Sequence, residues 1–192
     1  LAIPMFLLAG AVMTRGSIAK RLIDLAVALT RPIPGGLAVA TILSCAIFAA
    51  ISGSSPVTLL AVGTILYPAL IQNGYGKRFS LGALTSGGTL GIIIPPSIPL
   101  ILYGIVTEHS IADLFVAGII PEIMIATALS FYSCWVNRKM PSEPLNPTEV
   151  TRAWGAGGWS MALRAILLVG IYSGYFCPSE AAAVALIYAL FV

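Results

Sequence analysis

Residues 52–56, SGSSP, separate a pair of apolar runs, LAVATILSCAIFAAI (37–51) and VTLLAVGTILYPALI (57–71). Hydroxyls, a glycine and a proline interrupt what would otherwise read as one long membrane helix. Each run falls short of the ~20 residues that a helix needs to cross a bilayer. Arg31 precedes the pair, and Lys77 and Arg78 follow it. Basic residues gather in cytoplasmic loops. Two half-length helices with a polar middle and both outer ends on one side predict a re-entrant hairpin over 37–72.

Composition sets the solvent. The chain is 58% hydrophobic and 9% charged, with a mean hydropathy of +0.99. Soluble domains carry about a quarter charged residues, so lipid is expected to solvate most of this chain. Its net charge of +3 is small, and the basic residues sit in short inter-helix segments without interleaved aromatics. That excludes a nucleic-acid footprint. Cys45, Cys134 and Cys177 lie far apart within apolar or small-residue stretches and read as small buried hydrophobes. No signal peptide is visible, and both ends lie inside apolar runs, which reads as a piece of something longer.

Outward from the hairpin, residues 1–13 read as the end of a membrane helix. Ile18, Leu22, Leu25, Leu29 and Ile33 then recur at helical spacing among Arg15, Lys20, Arg21 and Asp24. This predicts an amphipathic arm along the interface, ended by Pro32 and Pro34, so that 1–36 forms one unit. Residues 79–107 are long enough to cross but contain Gly87, Gly88, Gly91, Pro95, Pro96 and Pro99. An interior proline removes a hydrogen bond and clashes with the preceding turn, so a discontinuous helix broken near GIIIPPS (91–97) is expected. Residues 111–136 return across the membrane to the basic Arg138 and Lys139. The polar, proline-rich 137–158 reads as a cytoplasmic loop. Residues 159–192 cross outward and enter a helix, with Ser179 as its N-cap and Glu180 in its first turn.

The segment FLLAGAVMTRGSIAKRLIDLAVAL near the start resembles ILLVGIYSGYFCPSEAAAVALIYAL near the end. Flanking charge sends the first inward and the second outward, as an inverted-topology repeat would. The expected fold class is therefore all-α integral membrane, an inverted-repeat transporter fragment with a re-entrant helical hairpin and a discontinuous transmembrane helix.

Enzyme chemistry finds little material here. His109 is the one histidine, and nearly all of the carboxylates fall at element ends or loops, without an evident paired acid and base. A serine nucleophile at 52, 54 or 55 has no base on a nearby segment. What the chain offers is two polar breaks at membrane depth, SGSSP and SGGTLGIIIPPS (86–97). In such breaks, unwound carbonyls and hydroxyls coordinate a cation, and half-helix N-termini face an anion. The simpler reading makes Gly87 and Gly91 a close-packing face. The coincidence of two hydroxyl-rich breaks favours a binding site.

These blocks, in this order, resemble the large membrane subunit of tripartite ATP-independent periplasmic (TRAP) transporters. The resemblance rests on ISGSSPVTLLAVGTILYPALIQNGYGKRFS, then SGGTLGIIIPPSIPLILYGIVTEHSIADLFVAGIIP, then GIYSGYFCPSEAAAVALIYAL, and covers nearly the whole chain. It implies a Na⁺-driven, elevator-type symporter for organic acids, C4-dicarboxylates or sialic acid-like carboxylates. The expected location is the bacterial or archaeal cytoplasmic (inner) membrane, crossed several times. The implied partners are a small membrane subunit and a periplasmic substrate-binding protein. Carried to matching positions, Ser52, Gly53, Ser54, Thr89 and Gly91 would hold Na⁺. Ser54, Ser55, Pro95, Pro96 and Ser97 would wall the substrate pocket. Two departures stand out. Glu122 follows IIP where the family has a small residue, and is expected to be a solvated charge near a membrane boundary. Cys177 and Ser179 stand where threonine is usual. A Na⁺-coupled carboxylate transporter without a binding protein, and a channel component, remain alternatives.

Overall fold

A computed structural model describes residues 4–5, 8–9, 12, 18–140, 147–173 and 175–191. The expected helix end at 1–13 falls largely outside these residues. The described elements are helical throughout. The arm is α1 (Ile18–Thr30), the hairpin is α2 (Gly36–Ser52) and α3 (Ser55–Gln72), and the interrupted element is α4 (Lys77–Thr89), a 3₁₀ turn (Leu90–Ile92) and α5 (Ile98–Thr107). Then come α6 (Ile111–Val136), α7 (Pro147–Tyr172) and α8 (Pro178–Phe191). By length and composition, α3 and α6 are each able to span a bilayer.

Helix α2 is apolar on every side, as a helix surrounded by protein should be. It packs against α1, α3, α4 and α6, and Phe48, Ala49, Ala50 and Cys45 are almost wholly enclosed. Its entry is a tight turn. Gly35 holds φ at 73°, and a Cβ on Gly36 would lie 2.0 Å from the Thr30 carbonyl oxygen, so only glycine fits. Helix α1 ends as expected before Pro32. Leu22 and Leu25 are buried, but Leu29 is 43% exposed, so the buried stripe runs through Ala19, Ile23 and Ala26 instead.

The hairpin has a base and a tip. At the base, Ala38, Leu70 and Tyr75 cluster with Phe79 and Met140, and Gly35 abuts Asn137 at the end of α6. At 1.5 Å per residue, the 17 residues of α2 carry the chain about 26 Å from base to tip. The α4 helix and its 3₁₀ turn rise by about the same amount. The 10 residues of α5 then continue about 15 Å beyond the tip. Helix α6 runs back the whole way, with 26 residues in about 39 Å. The turn that reverses the chain puts Gly104 against Ile111 and Leu114.

Three sequence expectations change, the first being that Cys177 is exposed rather than buried. The segment expected as a loop to residue 158 is helical from Pro147 onward. Proline fits the first turn of a helix, and packing against α1 outweighs the helix-weakening glycines at 155, 157 and 158. The last helix is capped at Cys177, with Pro178 as its first residue. The Cys177 N–H donates to Glu180 Oε2 at 2.9 Å, a capping-box contact. Ser179 therefore lies inside the helix rather than before it.

Candidate functional site

The hairpin tip and the helix break meet. Gly53 closes α2 with φ at 59° and donates its N–H to the Ala49 carbonyl at 2.8 Å. A Cβ placed on it would lie 2.6 Å from the Pro96 carbonyl oxygen. The Gly53 carbonyl in turn accepts the Ile98 N–H at 3.4 Å. Gly91 faces the tip from the other element, its missing Cβ 3.2 Å from both Ser54 C and Ser55 N. Below the tip, Gly87 sits against Cys45 of α2 and Gly88 against Leu59 of α3. The glycines of α4 thus pack into the cleft of the hairpin, as the close-packing reading required. The break also lies against the tip.

Hydroxyls hold the tip in shape. Ser52 Oγ lies 2.8 Å from Thr58 Oγ1, and Thr58 Oγ1 donates to the Ser54 carbonyl at 2.9 Å. The Ser54 N–H points to Ser52 Oγ at 3.4 Å. Ser52 and Thr58 are both buried, so their hydroxyls are occupied within the hairpin. Ser54, in extended backbone, begins α3 without capping it through its side chain. Among the described residues, the Ser54 and Ser55 hydroxyls have no hydrogen bond, and both residues are half-buried.

The break follows from the prolines. Pro95 and Pro96 lack the N–H groups that would reach the Gly91 and Ile92 carbonyls four residues back. The Ile92 carbonyl is recovered by Ser97 Oγ, while Ser97 Oγ also accepts the Leu100 N–H at 3.5 Å as N-cap of α5. Pro95 and Pro96, joined by a cis peptide bond, and Ser97 are all buried. The helix ends at Thr89, earlier than GIIIPPS suggested, and the 3₁₀ turn covers the gap.

The C-terminal end of α2, the N-terminal end of α3, the end of the 3₁₀ turn and the N-terminal end of α5 therefore converge. Helix dipoles place partial negative charge at the first and third and partial positive charge at the others. None of the tip or break side chains titrates near neutral pH. The donor set is neutral oxygen, which suits a hard cation, and the N-termini suit an anion.

Of the sequence-derived residues, Ser52, Gly53, Ser54, Ser55, Gly91, Pro95, Pro96 and Ser97 come together. Thr89 does not. It is exposed, and its hydroxyl turns back to the Ser86 carbonyl at 2.7 Å. Thr58 escapes a reading of the sequence because it looks like one more β-branched residue in an apolar run. Its spacing from Ser54, one helical turn, is the available signal. Glu122 is corrected: it is 9% exposed and sits near the middle of α6, not at a solvated boundary. It shares a helix face with Gly118, whose missing Cβ is 3.1 Å from the Ile93 carbonyl.

The described residues are helical, with two helices long and apolar enough to cross a membrane, a hairpin and an interrupted helix, the features expected of an integral membrane protein. The sequence model of the family "Tripartite ATP-independent periplasmic transporter, DctM component" matches residues 1–192, and the chain belongs to that family. It is 45% identical over 196 residues to the C4-dicarboxylate TRAP transporter large permease protein DctM of Pseudomonas aeruginosa, covering 100% of this chain and 46% of that protein. It is 41% identical to the ectoine TRAP transporter large permease protein TeaC of Halomonas elongata, covering 99% and 45%. It is 38% identical to the 2,3-diketo-L-gulonate TRAP transporter large permease protein YiaN of Escherichia coli, covering 100% and 46%. The chain spans about half the length of the curated relatives it matches.

Proposed function

We propose that this chain carries one half of the transport site of a Na⁺-coupled TRAP large permease that imports organic acids. Ser54 and the backbone around Gly53 and Gly91 contribute oxygen to Na⁺. Ser55, with the Pro95–Pro96–Ser97 corner and the N-terminus of α5, walls the carboxylate. Ser52 acts through the Thr58 contact, holding the tip. Thr89 reaches the ion only if its hydroxyl turns away from Ser86. The other half of the site belongs to an inverted second repeat.

The observation that carries this reading is the seating of Gly53 on Pro96. If the α4–α5 unit crosses the bilayer, that contact holds the tip inside it, about 15 Å short of the far end of α5. Both arms then return to the basic side, as a re-entrant hairpin does. Irregular backbone at that depth needs protein, water or an ion around it.

A periplasmic binding protein would deliver the substrate, and a small membrane subunit would complete the assembly in the cytoplasmic membrane. The named substrates of the relatives differ at similar identity: C4-dicarboxylate, ectoine and 2,3-diketo-L-gulonate. Among them, a C4-dicarboxylate is the reading adopted for this chain.

The test is uptake of radiolabelled succinate by the full-length protein with its small subunit and binding protein in proteoliposomes. An inward Na⁺ gradient should drive saturable uptake, abolished by Ser54→Leu. Equal uptake with choline in place of Na⁺ would overturn the coupling. Single-channel currents in place of saturable uptake would overturn the transporter reading.

A further inference from the structure

The base of the hairpin carries a second feature, separate from the tip. Helices α4 and α6 flank a groove there of about 380 Å³, lined by Ile42, Phe79, Leu129 and Val136 together with Arg78. A second cavity of about 400 Å³ shares Val136 and is bounded by Trp135, Arg138 and Lys139. Arg78, Arg138 and Lys139 are exposed. Among the described residues, no carboxylate lines either space and none of the three cations forms an ion pair. Tyr132 and Trp135 are 54% and 63% exposed at the same level. Elsewhere on α6, Val116, Ile120, Ile123, Met124 and Phe131 are each more than half exposed. Aromatic residues followed by basic ones mark the level where bilayer hydrocarbon meets headgroup.

We propose that this groove is a site for an anionic phospholipid of the leaflet on the basic side. Its phosphate sits at Arg78, with Arg138 and Lys139 beside it, and an acyl chain lies in the apolar trough between α4 and α6. Charge decides for an anionic headgroup over a zwitterionic one. The apolar walls decide for a lipid over free phosphate, which would gain nothing from Ile42, Phe79 or Leu129. Gly82 also lines the trough, and a Cβ added there meets nothing within 4 Å, so the trough has space at its side. A lipid seated there braces α4 against α6 at the end away from the break.

The experiment is native mass spectrometry of the full-length transporter with its small subunit, titrated with phosphatidylglycerol or with phosphatidylcholine of the same chains. The wild type should retain phosphatidylglycerol selectively, and glycerol 3-phosphate should not displace it. Each interfacial cation contributes about fivefold in affinity for an anionic surface. The variant combining Arg78→Gln, Arg138→Gln and Lys139→Gln should therefore bind about 100-fold more weakly. Gly82→Leu keeps every charge and fills the trough, and should also lose the adduct while eluting as a monodisperse complex. Equal retention of both lipids would overturn the proposal, as would displacement by glycerol 3-phosphate. So would unchanged adducts in the triple variant. If Gly82→Leu instead breaks up the complex while the triple variant keeps the lipid, another stretch of protein fills the groove and the proposal fails.

Discussion

Gly53 and Pro96, far apart in the chain, touch backbone to backbone, with no room for a Cβ between them: it would lie 2.6 Å from the Pro96 carbonyl oxygen. This single contact joins the hairpin tip to the helix break, so the two polar interruptions form one unit. Gly53→Ala should therefore damage both. The left-handed backbone alone costs about 1–2 kcal/mol for a residue with a Cβ, and the clash with backbone adds to it. The expected outcome is a lower melting temperature for the full-length protein and uptake reduced at least tenfold at saturating Na⁺. Wild-type melting and uptake in the variant would show that the contact does not couple tip and break.

Thr58 is the residue whose role the sequence did not announce. Thr58→Val keeps shape and burial but removes the hydroxyl that meets Ser52 Oγ and the Ser54 carbonyl. Leaving a buried polar group unsatisfied costs about 1–3 kcal/mol. The Na⁺ concentration for half-maximal uptake should rise several-fold, and Thr58→Ser should restore it. A purely structural role would lower expression of both variants without separating their Na⁺ curves.

Ser97 serves two partners, the Ile92 carbonyl and the Leu100 N–H. Ser97→Ala removes an N-cap, at about 1 kcal/mol, and leaves the Ile92 carbonyl without the Ser97 hydroxyl as donor. The first turn of α5 should fray. Amide hydrogen exchange at 97–101 should accelerate in the variant, with exchange in α6 unchanged.

Thr89 separates two possibilities cleanly. Among the described residues its hydroxyl bonds only the Ser86 carbonyl, and its side chain is exposed, so Thr89→Val should change stability by less than about 0.5 kcal/mol. Any rise in the Na⁺ requirement of Thr89→Val is then a ligand effect rather than a folding effect. Unchanged Na⁺ dependence would limit the ion site to the tip and the backbone of the 3₁₀ turn.

The sequence by itself determined where helices start and stop. Apolar length, SGSSP and the Pro95–Pro96 pair act on their own chain neighbours, through missing N–H groups, permitted φ and hydrophobic run length. Those local causes were enough to define two arms, one interrupted helix and the long α6. The same local logic misread 147–158 as loop, because packing against α1 outweighs proline and glycine signals. It also could not place side chains around a helix. Whether Thr89 faces the tip, whether Glu122 meets solvent and whether Thr58 reaches Ser52 depend on how each helix is rotated against its neighbours. For α4 and its 3₁₀ turn the rotation is set by fitting the glycines at 87, 88 and 91 into the hairpin cleft, and for α6 by Gly118 against the Ile93 carbonyl, agreements between distant surfaces that only the tertiary structure decides.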